Sequence, residues 1–322
     1  MNHSTHNVVF LDRGSVSADK LSFEKLYKNF PNCEVYEHST PEEVIKRVRN
    51  ADIAITNKAV LSSQAIANAT RLKMISVMAT GYNNVGIKAA SNKDITVSNV
   101  RSYGTPSVAQ HTFMLILSLA TRFTEYSNAV RQGAWNKSPQ FCLLDYNITE
   151  LSGKTLGIIG HGELGRAVGE IAKAFGMQVL IAARKGSSPS EGRTDFQTII
   201  TGSDVITLHC PLNEETRNLI DAPELEQMKS SAFLINTARG GIVNEQALKN
   251  ALIKGHIAGA AFDVLSEEPP ANGNLLLDNN IPNLIITPHT AWASLEAQQR
   301  LFDMTVQNVI SFLEGRPENV VV

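Results

Sequence analysis

Short apolar runs alternate with stretches of helical periodicity along almost the whole chain. The early runs are VVFLD (Val8–Asp12), ADIAIT (Ala51–Thr56) and LKMISVM (Leu72–Met78). Each predicts a buried β-strand. Between the first two, Thr40 is placed to cap a helix, Pro41 suits its first turn, and Glu43 is the expected capping-box partner.

A second series of apolar runs follows in the same manner. It consists of TLGIIG, QVLIA, DVITLH, AFLINT, GAAFDV and NLIIT. Strands that alternate with helices are typical of parallel sheets covered by helices on both faces. The pattern therefore predicts an α/β protein with two doubly wound, Rossmann-like domains. We place the first over residues 1–100 and the second, a dinucleotide-binding domain, over 101–290.

Two longer helical patterns lie outside these series. The segment Thr105–Gly133 begins at a Thr-Pro cap and is apolar over much of its length, so we expect one long buried helix between the domains. The last helix should run from about Ser294 to Leu313. We expect residues 291–322 to return to the first domain and complete it.

Composition and charge narrow the class of protein. Of 322 residues, 43% are hydrophobic and 19% charged, which is enough apolar material for two cores. The net charge of -2 predicts no attraction to nucleic acid or to an anionic membrane. Three scattered cysteines suit a reducing compartment, and no signal peptide or membrane-spanning run is visible. We expect a cytoplasmic protein that binds no metal.

The sequence GHGELG follows the run TLGIIG and precedes a helical pattern. Gly160, Gly162 and Gly165 give the spacing G-x-G-x-x-G. The first glycine permits a tight turn, the second admits a pyrophosphate close to the backbone, and the third lets helix and strand pack closely. The N–H groups at the start of the helix attract phosphate, so Glu163 and Leu164 join the predicted cofactor site. The alternative is a glycine-rich turn without a ligand.

The strand after this helix lacks the usual acid at its end. An acid there accepts hydrogen bonds from the adenosine ribose and repels a 2′-phosphate. Here Ala183, or at most Ala182, occupies the position, and Arg184 and Lys185 follow. We predict NADP as the preferred cofactor, with NAD possible. The alternative is that both cations are solvated surface charges.

Three later segments place polar residues directly after apolar runs: LINTARGGIVNE, AGAAFDVLSEEPP and LIITPHTAWAS. In an open parallel sheet these positions meet at the ligand-binding edge. Arg239 would hold a carboxylate and polarise the neighbouring carbonyl, and His289 would give a proton to the carbonyl oxygen. Glu268 would orient the His289 ring and keep it protonated. Taken singly, each of these three residues has an explanation as an ordinary surface or loop residue. Their occurrence together at successive strand ends favours a catalytic site.

The same strand ends supply the rest of the predicted cofactor site. Asp263 is predicted to hold the nicotinamide carboxamide. Cys210 and Pro211 follow the run DVITLH, and Thr237 follows the AFLIN stretch; all three are predicted to contact the dinucleotide.

The segments GHGELG, NTARGGIVNEQAL, AAFDVLSEEPP and TPHTAWAS occur in the order typical of the D-2-hydroxyacid dehydrogenase family, which the whole chain resembles. The resemblance implies that the family's catalytic Arg, Glu and His are Arg239, Glu268 and His289. It also implies two Rossmann-like domains with the active site in the cleft between them. A homodimer formed through the nucleotide domain is implied as well.

The segment MATGYNNVG resembles the family's substrate loop. The resemblance implies that backbone N–H groups near Thr80 and Gly81 bind the substrate carboxylate. With Arg239 and His289, they form the predicted substrate-binding set. This chain departs from the family at Gly86, where Asp is usual, and at Gln110, where Glu is usual.

Within the family, the chain most resembles the glycerate dehydrogenase, or hydroxypyruvate reductase, branch. This implies reduction of hydroxypyruvate to D-glycerate and of glyoxylate to glycolate. Trp135 and Trp292 are equally compatible with the pocket, a subunit contact or an ordinary core. Two alternatives stay open: a nucleotide-sensing, corepressor-like interaction protein, and a dehydrogenase of another substrate such as phosphite. Glu268 argues against a formate dehydrogenase, which lacks the Glu–His pair.

Overall fold

The computed structural model describes residues 5–322 and divides them into two compact units. The first comprises the described residues up to Gly104 together with Ala293–Val322, and the second is Thr105–Trp292. Each contains one sheet whose strands pair in parallel. The prediction of an α/β protein with two doubly wound, Rossmann-like units is confirmed.

The first unit has five strands in the order β2-β1-β3-β4-β5. They are β1 (Val8–Phe10), β2 (Glu34–Val35), β3 (Ile53–Thr56), β4 (Met74–Val77) and β5 (Thr96–Ser98). Its early helices are α1 (Glu24–Asn29), α2 (Pro41–Val48), α3 (Ser63–Asn68) and α4 (Ile87–Ser91). The three predicted strands are present. Strands β2 and β5 were not predicted, because polar residues interrupt their surroundings (CEVYEH and DITVSNV) and leave no continuous apolar run.

The start of α2 follows the capping chemistry expected from its sequence. The hydroxyl of Thr40 accepts a hydrogen bond from the backbone N–H of Glu43 at 3.3 Å, and the Glu43 carboxylate accepts one from the Thr40 N–H at 2.8 Å. Two N–H groups that the helix leaves unpaired are thereby satisfied.

The second unit has six strands in the order β11-β10-β9-β8-β6-β7. They are β6 (Thr155–Ile159), β7 (Gln178–Ile181), β8 (Val205–Leu208), β9 (Phe233–Asn236), β10 (Gly259–Phe262) and β11 (Leu284–Ile286). Its helices are α5 (Thr105–Thr121), α6 (Phe123–Arg131), α7 (Glu163–Ala174), α8 (Phe196–Gly202), α9 (Ala222–Gln227) and α10 (Glu245–Lys254). All six strands were predicted. Because β6 pairs with β7 on one side and β8 on the other, the strand order reverses at β6, where open α/β sheets bind ligands.

The segment predicted as one helix is two helices, so that prediction was wrong. The backbone of Arg122 is left-handed, with φ of 55°, and separates α5 from α6. The carbonyl of Ala120 accepts a hydrogen bond from the N–H of Thr149 at 2.8 Å. That distant bond satisfies a carbonyl at the end of α5, and α6 has no buried residue that would favour a continuous helix.

The last helix, α11 (Leu295–Leu313), is capped by Ser294 and belongs to the first unit. It packs against β4 and α1, and the hydroxyl of Ser76 donates to the carbonyl of Thr305 at 3.2 Å. Short 3-10 helices occupy Arg13–Ser15, Ala18–Lys20, Trp135–Lys137 and Leu275–Leu277. Among residues 5–322, no helix combines the length and the apolar character that a membrane crossing requires.

Candidate active site

The three predicted catalytic residues lie on loops at one edge of the second sheet. Arg239 follows β9, Glu268 follows β10 and His289 follows β11. These strands are parallel neighbours, so their carboxyl ends share an edge. Polar side chains on loops at such an edge are typical of α/β ligand sites.

Glu268 and His289 are in direct contact. Nδ1 of His289 lies 2.6 Å from Oε2 of Glu268, while Oε1 accepts a hydrogen bond from the Leu265 N–H at 2.8 Å. Burial acts to raise the pKa of Glu268, but these two hydrogen bonds and the charges of His289 and Arg239 hold it below its usual value. Glu268 is therefore ionised at neutral pH, and its Oε2 orients the His289 ring through Nδ1. Nε2 of His289 has no partner among the described residues and is available to a substrate.

The His289 loop is held by Asp263. The backbone of His289 is left-handed, with φ of 54°, and its N–H donates to the Asp263 carbonyl at 2.9 Å. The Asp263 carboxylate accepts hydrogen bonds from the N–H groups of Thr290 and Ala291 and from the hydroxyl of Thr287. Asp263 is 1% exposed. Its observed role is to fix this loop; a contact with the nicotinamide carboxamide stays a prediction.

A close contact between backbones brings the Arg239 loop against the Glu268 loop. A Cβ atom at Gly240 would lie 1.9 Å from the carbonyl oxygen of Leu265, so only glycine fits there. The side-chain amide of Asn236 donates to the Arg239 carbonyl at 2.9 Å. The Arg239 side chain is exposed, and its charge is one cause of the lowered pKa of Glu268. The structure thus gathers all three groups at one place.

Two supporting residues were not identified from the sequence. Glu245, the first residue of α10, accepts hydrogen bonds from the N–H and hydroxyl of Ser266 at 2.7 and 2.9 Å, and so anchors the Glu268 loop. His111 lies with Nε2 3.0 Å from the Thr287 hydroxyl and 3.5 Å from Asp263. His111 lies within the family-like segment PSVAQHT, whereas nothing in the sequence connects Glu245 to a loop 21 residues away.

The glycine turn has the geometry that a pyrophosphate requires. Gly160 has φ of 94°, and a Cβ there would lie 2.5 Å from the backbone nitrogen of Cys210. A Cβ at Gly165 would lie 2.2 Å from the Gly160 carbonyl oxygen, whereas one at Gly162 would meet open space. Gly160 and Gly165 are therefore needed for packing, whereas Gly162 leaves the backbone accessible at the start of α7. The chain's own residues fit a dinucleotide here.

The other predicted cofactor residues border this turn or the neighbouring strand ends. Cys210 lies against the glycine turn, and Pro211 beside it is exposed. Thr237 is 7% exposed, with its hydroxyl 3.0 Å from that of Thr112. In α7, Glu163 is exposed and accepts a hydrogen bond from the Thr105 hydroxyl at 2.7 Å, while Leu164 is half-buried.

The two cations after β7 differ in their surroundings. Arg184 is exposed, and its side chain makes no hydrogen bond or ion pair with another residue among 5–322. Nζ of Lys185 lies 2.8 Å from Oε1 of Glu224 and over the ring of Phe196. Lys185 is therefore already paired with a carboxylate, and Ala183 leaves the strand end without an acid.

In the first unit, the predicted carboxylate-binding loop has available donors. The backbone N–H groups of Thr80 and Gly81 make no hydrogen bond within residues 5–322. Gly86, where the family usually has Asp, has no side chain that could support the loop. Instead, Asn84 donates to the carbonyls of Asn57 and Ala59 at 3.3 and 3.0 Å.

The remaining residues named from the sequence lie at the surface or are partly buried. Gln110 is exposed on α5. Trp135 is 51% exposed, and its indole N–H donates to the Phe141 carbonyl at 2.9 Å. Trp292 is half-buried.

Comparison with known proteins gives a consistent result. Residues 113–291 match the family described as "D-isomer specific 2-hydroxyacid dehydrogenase, NAD binding domain". The glycerate dehydrogenase of Methylorubrum extorquens is 48% identical to this chain over 319 residues, covering 98% of this chain and 99% of that protein.

Two further comparisons cover nearly the whole chain. The hydroxypyruvate reductase of Blautia hydrogenotrophica is 37% identical and covers 98% of this chain and 99% of its own length. The crystal structure of the TT0316 protein from Thermus thermophilus superposes with a TM-score of 0.85, at 32% identity, over 98% of this chain and 100% of that one.

Proposed function

This chain belongs to the family of D-isomer specific 2-hydroxyacid dehydrogenases, and on that premise we propose that it reduces hydroxypyruvate to D-glycerate and glyoxylate to glycolate, with NADPH as its preferred reductant. Membership in the family makes it an oxidoreductase of 2-hydroxyacids with a nucleotide-binding domain. The observation that carries the proposal is the 2.6 Å contact between His289 and Glu268, with Arg239 on the loop after the neighbouring strand β9.

The roles of the three residues follow from their chemistry. When bound, the reduced nicotinamide supplies a hydride to the carbonyl carbon of the 2-oxoacid. Nε2 of His289 donates a proton to the carbonyl oxygen, which becomes the hydroxyl. Glu268 holds Nδ1 and stabilises the positive charge of the ring before the proton leaves. The guanidinium of Arg239 binds the carboxylate and polarises the carbonyl.

The carboxylate of the substrate also has predicted donors in the first unit. We assign them to the backbone N–H groups of Thr80 and Gly81, because neither is used within the described part of the chain. An unpaired N–H pair is a suitable partner for an anion.

The preference for NADPH rests on the end of β7. Ala183 presents no carboxylate to repel a 2′-phosphate, and Arg184 carries a positive charge that no described residue neutralises. The proposed dinucleotide residues are otherwise those of the glycine turn with Cys210, Pro211, Thr237 and Asp263.

We also propose that the protein is a homodimer formed through the second unit. Several large apolar side chains between α6 and β6 are exposed: Phe141 by 89%, Leu144 by 83% and Ile148 by 62%. Exposed apolar groups of this size along one segment are typical of protein–protein contacts. Trp135 belongs to the same segment, so we assign it to the subunit contact.

Initial rates with purified protein test the proposed reaction. We expect oxidation of NADPH with hydroxypyruvate and with glyoxylate, and a higher kcat/KM with NADPH than with NADH. Pyruvate is tested as a further 2-oxoacid, and phosphite is tested with the oxidised cofactor as the alternative substrate. Absence of turnover with every 2-oxoacid would contradict the proposed substrates, and a higher kcat/KM with NADH would contradict only the cofactor preference.

A further inference from the structure

We infer that Arg193, acting with Arg184, binds the 2′-phosphate of NADP(H), and that Lys185 does not. The inference rests on the proposed cofactor preference and identifies the residue responsible for it. Arg193 lies twelve residues beyond Ile181, the last residue of β7. Its proximity to the site therefore follows from the fold and not from the motif.

The backbone brings Arg193 to the carboxyl end of β7. The residue after it, Thr194, pairs in parallel with Ala182 and extends the sheet at its edge. The N–H of Thr194 donates to the Ile181 carbonyl at 2.7 Å, and the N–H of Ala183 donates to the Thr194 carbonyl at 2.8 Å. Two backbone hydrogen bonds thus fix the position of Arg193 beside the strand end where the ribose-binding acid usually lies.

The side chain of Arg193 turns across this strand end. Its Nη1 donates to the carbonyl of Ala182 at 3.3 Å. Since Ala183 carries only a methyl group, the space that an acidic side chain would take is available to the guanidinium. A carboxylate at that position would instead pair with Arg193 and cancel its charge.

The charge of Arg193 reaches the glycine turn. His161 lies between Gly160 and Gly162; partial burial lowers its pKa, as do the positive charges of Arg193, Arg166 and Lys173, in that order. Arg193 therefore lies within electrostatic range of the turn that precedes α7. A group bound between the turn and the end of β7, where a ribose would lie, meets this positive field.

Arg193 is also free to bind an anion. It forms no ion pair within residues 5–322, and the nearby Asp195 carboxylate caps α8 by accepting the Thr198 N–H at 3.1 Å. Lys185 is in the opposite situation, because its ammonium pairs with Glu224, whose side chain is only 10% exposed. Withdrawal of Lys185 from Glu224 would leave a largely buried carboxylate without its partner.

Titration calorimetry of NADPH and NADH with the full chain tests this inference without requiring turnover. For Arg193→Gln, loss of a forked, charged hydrogen bond should raise the Kd of NADPH about tenfold and that of NADH by less than about twofold. Arg193→Lys, which keeps the charge but not the fork, should give an intermediate value. Retained NADH binding also shows that the variant is folded.

Lys185→Gln is the matched control. It should leave the ratio of the two Kd values unchanged within about twofold, and lower the Tm through loss of the Glu224 pair. If Arg193→Gln leaves NADPH binding unchanged or weakens both cofactors equally, or if Lys185→Gln removes the discrimination, the inference is wrong. Equal Kd values in the unaltered protein would contradict the NADPH preference alone, because Arg193→Gln should still weaken only NADPH.

Discussion

His289 and His209 are two histidines at strand ends with opposite surroundings. His289 is held in a left-handed backbone conformation, which costs of order 1 kcal/mol for a residue other than glycine, and hydrogen bonds to Asp263 offset that cost. Its ring faces a carboxylate. His209 follows β8 against the glycine turn, with Nε2 3.0 Å from the Thr207 hydroxyl, and its buried Nδ1 has no partner among the described residues.

Burial lowers the pKa of His209 to about 4, and this predicts a pH dependence of stability. In the unfolded chain the ring binds a proton below a pH of about 6.5, whereas in the folded protein it stays neutral down to about pH 4. The contribution of His209 to the free energy of unfolding is therefore complete above about pH 6.5. As the pH falls toward 4, the free energy of unfolding decreases by about 3 kcal/mol.

Denaturant unfolding between pH 7 and pH 4 measures this effect. The free energy of unfolding of the unaltered protein should fall more steeply than that of His209→Gln, since ordinary carboxylates contribute equally to both. Parallel curves for the two proteins would show that His209 is protonated equally in the folded and unfolded states.

At the scale of elements, the sequence predicted the strands from their apolar runs and the candidate catalytic residues from their places after strand ends. All nine apolar runs are strands, and Arg239, Glu268 and His289 follow three neighbouring ones. The contacts between loops were not predictable. The approach of Gly240 to Leu265 joins segments 25 residues apart, and nothing in their local sequence indicates it.

Two other features depended on partners distant in sequence. The break at Arg122 follows from a bond between Thr149 and Ala120, which helical periodicity does not encode. The sequence predicted Lys185, beside Arg184, as a phosphate ligand. In the structure its ammonium pairs instead with Glu224, 39 residues later. Motifs therefore predict where a dinucleotide binds, while the partners of the predicted residues depend on the tertiary structure.

At the scale of the whole molecule, the chain separates into two units, and all three candidate catalytic residues belong to the second. That unit also carries the exposed segment that includes Phe141 and Leu144. Burial of such side chains against a second copy would remove a large apolar surface from water.

Sedimentation equilibrium tests the proposed dimer. The unaltered protein should have twice the mass of one chain, and the double variant Phe141→Asp, Leu144→Asp should shift toward the monomer. Val60→Asp, which alters a 53% exposed residue of the first unit, is the matched control and should stay dimeric. A monomeric unaltered protein would contradict the assignment.

The central claim is that His289 donates the proton during reduction of the bound 2-oxoacid, and the variant His289→Ala tests it most directly. Loss of the proton donor should lower kcat with hydroxypyruvate by about 10²- to 10⁴-fold, while the Kd of NADPH measured by fluorescence titration stays within about twofold of the original. His256→Ala, remote from the sheet edge on the loop after α10, should retain full turnover. Full turnover by His289→Ala would contradict the claim.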